Sequence, residues 1–371
     1  MAPVNRLPLD VLCLIPLHLH LASLSDRLRV TFVCRYRRKT FLQHAALWTQ
    51  FRPTGKMDQL LIEALLERAK GSLLDITANY FMSPIRDVAL LSPFAQQIRS
   101  LYLKSISSDQ VQELSEAISG PLPLLHTLEI DARVYWGGPD PLVAPTLTLF
   151  KNAVNLRQFV LHIDEFPSLQ HFTFSHLTNF DFSTCVNTFP VSRLLNFLKA
   201  SPALQRTSMT IEADLFHEDI PPERVVVLPH DETFILRIVN NGPGCEVATH
   251  ISCPSAKSAT FEHWMECAGF QIPRYIYSPP APWETIVRQF TNDTVERVVL
   301  ETTIDEELHI KCSIIFKSSD RTTLNLCYTH HSTEEDGEME RNLNERLPEF
   351  SLRLLGQSKI TRCYYLLSRS L

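Results

Sequence analysis

Apolar and polar positions follow two rhythms along this chain of 371 residues, and the change of rhythm divides it into zones. Over the first fifty or so residues the apolar positions have helical spacing. Pro8 stands near the first helical position of "LPLDVLCLI", where its missing N–H costs nothing. Ser23–Asp26 has the form of a capping box with Asp in place of Glu, and Leu24, Leu28 and Phe32 then recur at i, i+4 and i+8 on one helical face. A third helical stretch covers about Arg35–Gln43, and Leu47, Trp48 and Phe51 close the zone. Next, "MDQLLIEALLERAKG" predicts a helix whose broad apolar face carries Leu60, Leu61, Ala64, Leu65 and Leu66, stopped at Gly71. The strand-like "LLDITA" (73–78) follows.

From there a short pattern recurs. "IRSLYL" (98–103), "LHTLEI" (125–130), "LRQFVL" (156–161), "LTNFDF" (177–182) and "LQRTSMTI" (204–211) share an apolar-x-x-apolar-x-apolar core, with Leu101, Leu128, Phe159, Phe180 and Met209 spaced 27, 31, 21 and 29 apart. Helical stretches at 109–118 and 191–200 intervene. A strand and a helix every twenty to thirty residues is the rhythm of leucine-rich repeats, in which units too small to bury their own apolar face stack on one another. The Asn or Cys that regular repeats place after the strand is mostly missing here, so the predicted repeats are irregular. An ordinary α/β domain with alternating elements remains open beside the solenoid. After about residue 225 the rhythm weakens. "RVVVLP", "TFILRIV", "CEVATHI", "VERVVLETT", "LHIKCSIIF" and "TLNLCY" predict strands, and "ITRCYYLLSRSL" a final strand or helix.

Charge sharpens the division. Residues 1–52 carry eight Arg or Lys against Asp10 and Asp26, a net of +6, which leaves −12 for the rest of a chain whose net is −6. A basic head on an acidic body points to an acidic partner for the head. The 10 Gly and 24 Pro argue against a glycine-looped nucleotide fold. The 9 Cys are scattered without a CxxC, which predicts reduced thiols and a cytoplasmic or nuclear location. The apolar run 11–24 is broken by Pro16, His18 and His20 and is too short to span a bilayer, so no targeting segment and no membrane partner are expected.

The search for chemistry returns no GxxxxGK[ST], GxGxxG, GxSxG or HExxH. Cys245, His250, Cys253, His263 and Cys267 cluster within 23 residues, and thiolate and imidazole are zinc's preferred ligands, but no pair has C-x2–4-C spacing. A zinc-dependent enzyme built on 245–267 is therefore a remote alternative, and no cofactor or metal is expected. Cys34 lies beside basic residues but in an apolar row with Phe32 and Val33, which favours packing over reactivity. The interleaved basic and aromatic residues of 29–51 fit nucleic acid in sign, yet their apolar members have the helical spacing a packed module needs, so no nucleic acid is expected as partner. So small a module cannot bury Leu7, Leu9, Leu12, Leu17, Leu24, Leu28, Phe32, Tyr36, Phe41, Leu47, Trp48 and Phe51 all against itself, so part of that surface meets another chain or the repeat domain, and surface of this kind implies a binding module.

With the "LP-x-D-V-L" opening (7–12), the "LRVTFVCR" helix (28–35) and the "LW" ending (47–48), residues 4–51 resemble an F-box. The whole chain is similar to the F-box proteins with an irregular leucine-rich-repeat tail that abound in mushroom-forming fungi, including at "LLERAKGSLLDI" (65–76) and "ATHISCPSA" (248–256). That resemblance implies a three-helix F-box over 1–52 and an irregular leucine-rich-repeat-like curved domain over 53–371, an α+β or α/β solenoid. It also implies a non-enzymatic substrate receptor of an SCF-type ubiquitin ligase. The F-box would bind a Skp-type adaptor, and through it a cullin, by Leu7, Pro8, Leu12, Leu28, Val33, Cys34 and Trp48, and the repeats would hold a protein substrate. Pro16 and Arg37 stand where the family carries Phe and Trp. A repeat scaffold with a degenerate F-box and no ligase role is the alternative.

Overall fold

The structure, a computed structural model, describes residues 35–52, 59–79, 91–106, 121–132, 153–163, 174–216, 225–239, 246–265, 295–304, 309–318, 323–331 and 362–369, with Val11, Leu28, Arg29, Thr31, Phe32, Glu116 and Ile118. The chain forms two compact units, Met1–Val160 and Leu161–Leu371.

In the first unit, α1 (Arg35–Gln43) leads through a 3-10 turn at Ala45–Trp48 to β1 (Gln50–Phe51). Helix α2 (Gln59–Ala69) then returns the chain to β2 (Leu74–Asn79). Ile62, Leu65, Leu66 and Ala69 of α2 are buried, at the i, i+3, i+4 spacing that puts them on one face. The helix ends in two residues with left-handed backbone, Lys70 (φ 51°) and Gly71 (φ 76°). Strands β3 (Ile98–Lys104), β4 (Thr127–Ala132) and β5 (Gln158–Ile163) follow in chain order, and the chain passes from the first unit to the second within β5. The order is β1-β2-β3-β4-β5, with parallel register from β1 to β4.

The second unit opens with β6 (Asn179–Pro190), which runs directly into α3 (Val191–Lys199). The buried positions of α3, Val191, Leu194, Leu195 and Leu198, recur at i, i+3, i+4 and i+7, and Phe197 packs on Phe180 (ring centroids 4.5 Å apart) and edge-on to Phe174 (5.5 Å). Then come β7 (Arg206–Phe216), β8 (Val226–Val227), β9 (Thr233–Val239), α4 (Glu246–Thr249), β10 (Ile251–Ser252) and β11 (Ser258–Met265). Strands β12 (Val295–Ile304), β13 (His309–Ser318), β14 (Thr323–His331) and β15 (Arg362–Arg369) complete it. The order is β6-β7-β9-β11-β14-β13-β12-β15; β13 is antiparallel to both its neighbours and the other pairs are parallel. Strands β8 and β10 pair separately and in parallel.

The strands at 74–79, 98–104, 127–132, 158–163, 179–190 and 206–216 lie where the apolar rhythm predicts them. The fold class does not follow. The three-helix module is overturned: among the described residues up to 52 the one helix of full length is α1, followed by the 3-10 turn, with Val11, Leu28, Arg29 and Thr31 as single helical residues. Phe32 is exposed and Leu28 only half-buried, so these positions of the predicted apolar face are not taken into a core of their own. The leucine-rich-repeat solenoid is overturned as well. The described residues form mostly parallel sheet with four short α-helices rather than a helix after every strand, and from β12 to β14 the pairing turns antiparallel, which a one-strand-per-unit stack does not produce. This is an α/β sheet fold. One local expectation also changes: "CEVATHI" supplies α4 and the first residue of β10 rather than one strand.

Candidate binding faces and a buried polar pair

The strands are set in place by one repeated turn. Leu125, Leu156, Leu177, Leu204, Asp231 and Ala256 each donate their N–H to the carbonyl three residues back, on Leu122, Ala153, Phe174, Ser201, Leu228 and Cys253. In four of the six, Pro (123, 202, 229 and 254) takes the second position, where its fixed φ suits a type I turn. After four of the turns the next carbonyl is shared. His126 O accepts from Arg157 N and Gln158 N, Thr178 O from Gln205 N and Arg206 N, Gln205 O from Glu232 N and Thr233 N, and Glu232 O from Lys257 N and Ser258 N. These bonds satisfy the backbone at the start of each strand and set the spacing to the next.

Beyond the turn, side chains alternate between a core face and an open face. In the first unit the core face carries Leu101, Leu103, Leu128, Ile130 and Phe159. The open face carries the rows Thr77–Tyr102–Glu129 and Lys104–Asp131. In the second unit the rows are Asp181–Ser208–Ile235–Thr260 and Ser183–Thr210–Arg237–Glu262. Ion pairs run along this face, Lys104 with Glu129 (3.2 Å) and Arg237 with Glu262 (2.6 Å). Partly exposed pairs of this kind add at most about 1 kcal/mol each, so they fix the pattern of the face more than they stabilise the fold. Polar, partly exposed and held by a regular backbone, the face can present fixed hydrogen-bonding groups to another molecule.

The turns also locate two residues that break their own pattern. The fourth position is Leu in four turns but Asp231 in the fifth, and three residues on, where the others carry Leu128, Phe159, Phe180, Phe234 and Ala259, the fourth turn leads to Thr207. Both are buried, Asp231 completely. Asp231 Oδ1 accepts the N–H of Thr233 (3.1 Å). Asp231 Oδ2 and Thr207 Oγ1 are buried with no hydrogen bond formed, although the Thr207 hydroxyl lies close enough to favour the ionised carboxylate. Burial outweighs that help and pushes the Asp231 carboxyl up to about 6. Burial, and then the charge of Asp231, push the Cys253 thiol up as well, away from reactivity. Lining up the six turn segments in the sequence is the signal that would have singled out Asp231 and Thr207.

Of the residues expected to meet an adaptor, Leu7, Pro8, Leu12, Val33 and Cys34 lie outside the described residues, as do Pro16 and the side chain of Arg37. Leu28 is half-buried, and its carbonyl accepts the Thr31 hydroxyl (2.6 Å). Trp48 is only 2% exposed; its Nε1 donates to Phe41 O (3.0 Å), and the Arg68 guanidinium lies 5.5 Å from its ring centroid. It therefore supports the first unit from within. Exposed instead are Val11, Phe32 (69%) and Tyr36 (50%), with Arg38 stacked 5.7 Å from the Phe32 ring centroid. Sequence spacing counted Phe32 and Tyr36 among the apolar residues that the module cannot all bury, but did not single them out for the adaptor face.

In the Cys/His cluster, His250 and Cys253 are buried, Cys245, Cys267 and the side chain of His263 are outside the described residues, and no group of three His, Cys, Asp or Glu among the described residues could hold a metal ion. No helix among the described residues is long and apolar enough to cross a membrane. Comparison with family models, with curated proteins and with solved structures found no match to this chain.

Proposed function

We propose that this chain is a non-catalytic substrate receptor of an SCF-type ubiquitin ligase, working in the cytoplasm or nucleus. Residues 1–52 dock on a Skp-type adaptor and through it a cullin, and the open face of the sheet holds a protein substrate. The observation that carries the proposal is the exposure of Val11, Phe32 and Tyr36 within a segment of net charge +6. Large apolar side chains kept in water beside cations mark a surface made for another chain, with the apolar groups supplying affinity and the charge steering an acidic partner. The mechanism is proximity: a held substrate meets the charged conjugating enzyme at high effective concentration, and no side chain here needs to react. The three-helix form of the module is no part of this proposal; its apolar and basic surface is.

Titrating the full chain with a purified Skp-type adaptor tests it. Wild type binds, and the double variant Phe32→Ala/Tyr36→Ala loses at least about tenfold, the scale of losing two aromatic anchors. A correctly folded wild type with no measurable affinity overturns the receptor. A second reading, a protein-binding scaffold without a ligase role, is favoured by the burial of Trp48, which withdraws one residue of the expected docking set into the chain's own core. Adaptor-free chains that still capture substrate would support it.

A further inference from the structure

We propose that Asp231 and Thr207 form a proton-operated latch: with its carboxyl neutral, Asp231 seats the turn Leu228–Asp231 in the core of the second unit, and its ionisation releases that turn. At the equivalent turn position the chain buries Leu125, Leu156, Leu177 and Leu204, and at the position three residues on it buries Leu128, Phe159, Phe180 and Phe234. An acid and a hydroxyl replace apolar side chains at one of each, and the two come together in the fold although 24 residues separate them. Both keep an unmade hydrogen bond, on Asp231 Oδ2 and Thr207 Oγ1. A buried polar atom without a partner costs free energy that no fold keeps without compensation. A proton on the carboxyl removes the buried charge; the Thr207 hydroxyl, which favours the ionised form, offsets only part of that charge's cost.

The surroundings give an ionised Asp231 little help. The Thr233 N–H bonds Oδ1 from β9 and the Thr207 hydroxyl sits on the β7 side. From the turn that begins at Cys253 the facing titratable group is that cysteine's thiol, itself buried and held neutral. The neighbours His230 and Glu232 are exposed, and Glu232 pairs outward with Lys257 (2.6 Å). On the adjoining strip, His250 is buried and its carbonyl takes the Val226 N–H at the start of β8. No cation among these groups reaches the carboxylate.

The turn joins β8 to β9, and Pro229 O accepts the Ser255 hydroxyl (2.6 Å), so release of the turn also loosens the β8–β10 pair. The sign follows from linkage. In the seated turn the carboxyl titrates at about 6, whereas in an opened turn exposed to water it returns to about 3.8. Opening therefore sheds a proton, becomes easier as pH rises from about 4 to about 6, and levels off above. Between pH 5 and pH 8 the opening constant should rise about tenfold.

The experiment is amide hydrogen exchange on the full chain at the Asp231 and Thr233 positions, corrected for the intrinsic pH dependence of exchange. Wild type should show the tenfold rise and Asp231→Asn, which cannot ionise, should show none. Thr207→Val, which removes the hydroxyl that favours the charged form, should move the midpoint of the wild-type transition to higher pH. Identical pH profiles for wild type and Asp231→Asn overturn the latch. So does an unmoved midpoint in a folded Thr207→Val protein, and that arm stands even where Asp231→Asn fails to fold.

Discussion

One buried carboxyl, Asp231, couples the second unit to pH. Asp231 sits where neighbouring turns place leucine, and burial raises its carboxyl from 3.8 to about 6. At pH 7.5 the folded chain therefore holds a buried charge that costs about 3 kcal/mol relative to water, while well below pH 3.8 the group is neutral in both states and the cost is gone. Asp231→Leu removes the charge but leaves the Thr233 N–H without its side-chain acceptor, a loss of about 1 kcal/mol. The variant should be more stable than wild type by about 2 kcal/mol at pH 7.5, with the gain shrinking to nothing near pH 4.5. Chemical denaturation at the two pH values checks it, and a gain that does not depend on pH would place the effect in packing instead.

Among the elements, α2 shows how a boundary is encoded. Its helix is legible, although the buried face is Ile62, Leu65, Leu66 and Ala69 while Leu60 of the predicted face is exposed, and its end is set by Lys70 and Gly71 with left-handed backbone, the Lys70 N–H bonding Glu67 O and the Ser72 N–H bonding Ala69 O. A Cβ built on Gly71 would meet nothing within 4 Å, so its φ of 76° is the whole of the problem for a larger residue. Gly71→Ala should cost about 1 kcal/mol, the price of an L residue in that conformation, without disturbing the packing around it. A crystal structure of the variant with an unchanged turn, beside a melting curve lowered by a few degrees, is the expected result; no loss of stability would mean that the turn relaxes to another conformation. Helix α3 is the contrasting case, since it is secured mainly by what it buries, Phe197 against Phe180 and Phe174 included.

At the scale of the whole molecule, the uneven charge is the clearest functional signal. A head of +6 on a chain of −6 gives the first 52 residues a field of opposite sign to the rest. Charges exposed at the rim of an interface act mainly on the rate of encounter and are screened by salt, whereas apolar anchors set the lifetime of the complex. For the proposed receptor, raising salt from about 50 to about 300 mM should slow adaptor association several-fold with little effect on dissociation. Phe32→Ala should do the reverse. Surface plasmon resonance with full-length protein separates the two, and a salt-independent association rate would remove the basic head from the interface.

By itself, the sequence determined where most of the parallel strands run and where α1, α2 and α3 lie, because period-two and period-3.6 burial are local properties that neighbouring residues reveal together. It determined the stop at Gly71 for the same reason. Only the tertiary structure decided which strand neighbours which. Alternation tells a strand which face is buried but not what lies beside it, and the entropy of closing a loop changes too slowly with length to choose, so β11 pairs with β14 although β12 comes next in the chain. The same limit hid the pairing of Asp231 with Thr207, two ordinary polar residues until the turns align them. It also left open which apolar residues near the N-terminus face outward. Helical spacing implied more apolar surface than so small a module can bury, but which side chains are buried and which offered outward is settled by what the rest of the chain brings against them, and Phe32 and Tyr36 are exposed while Trp48 is taken inside.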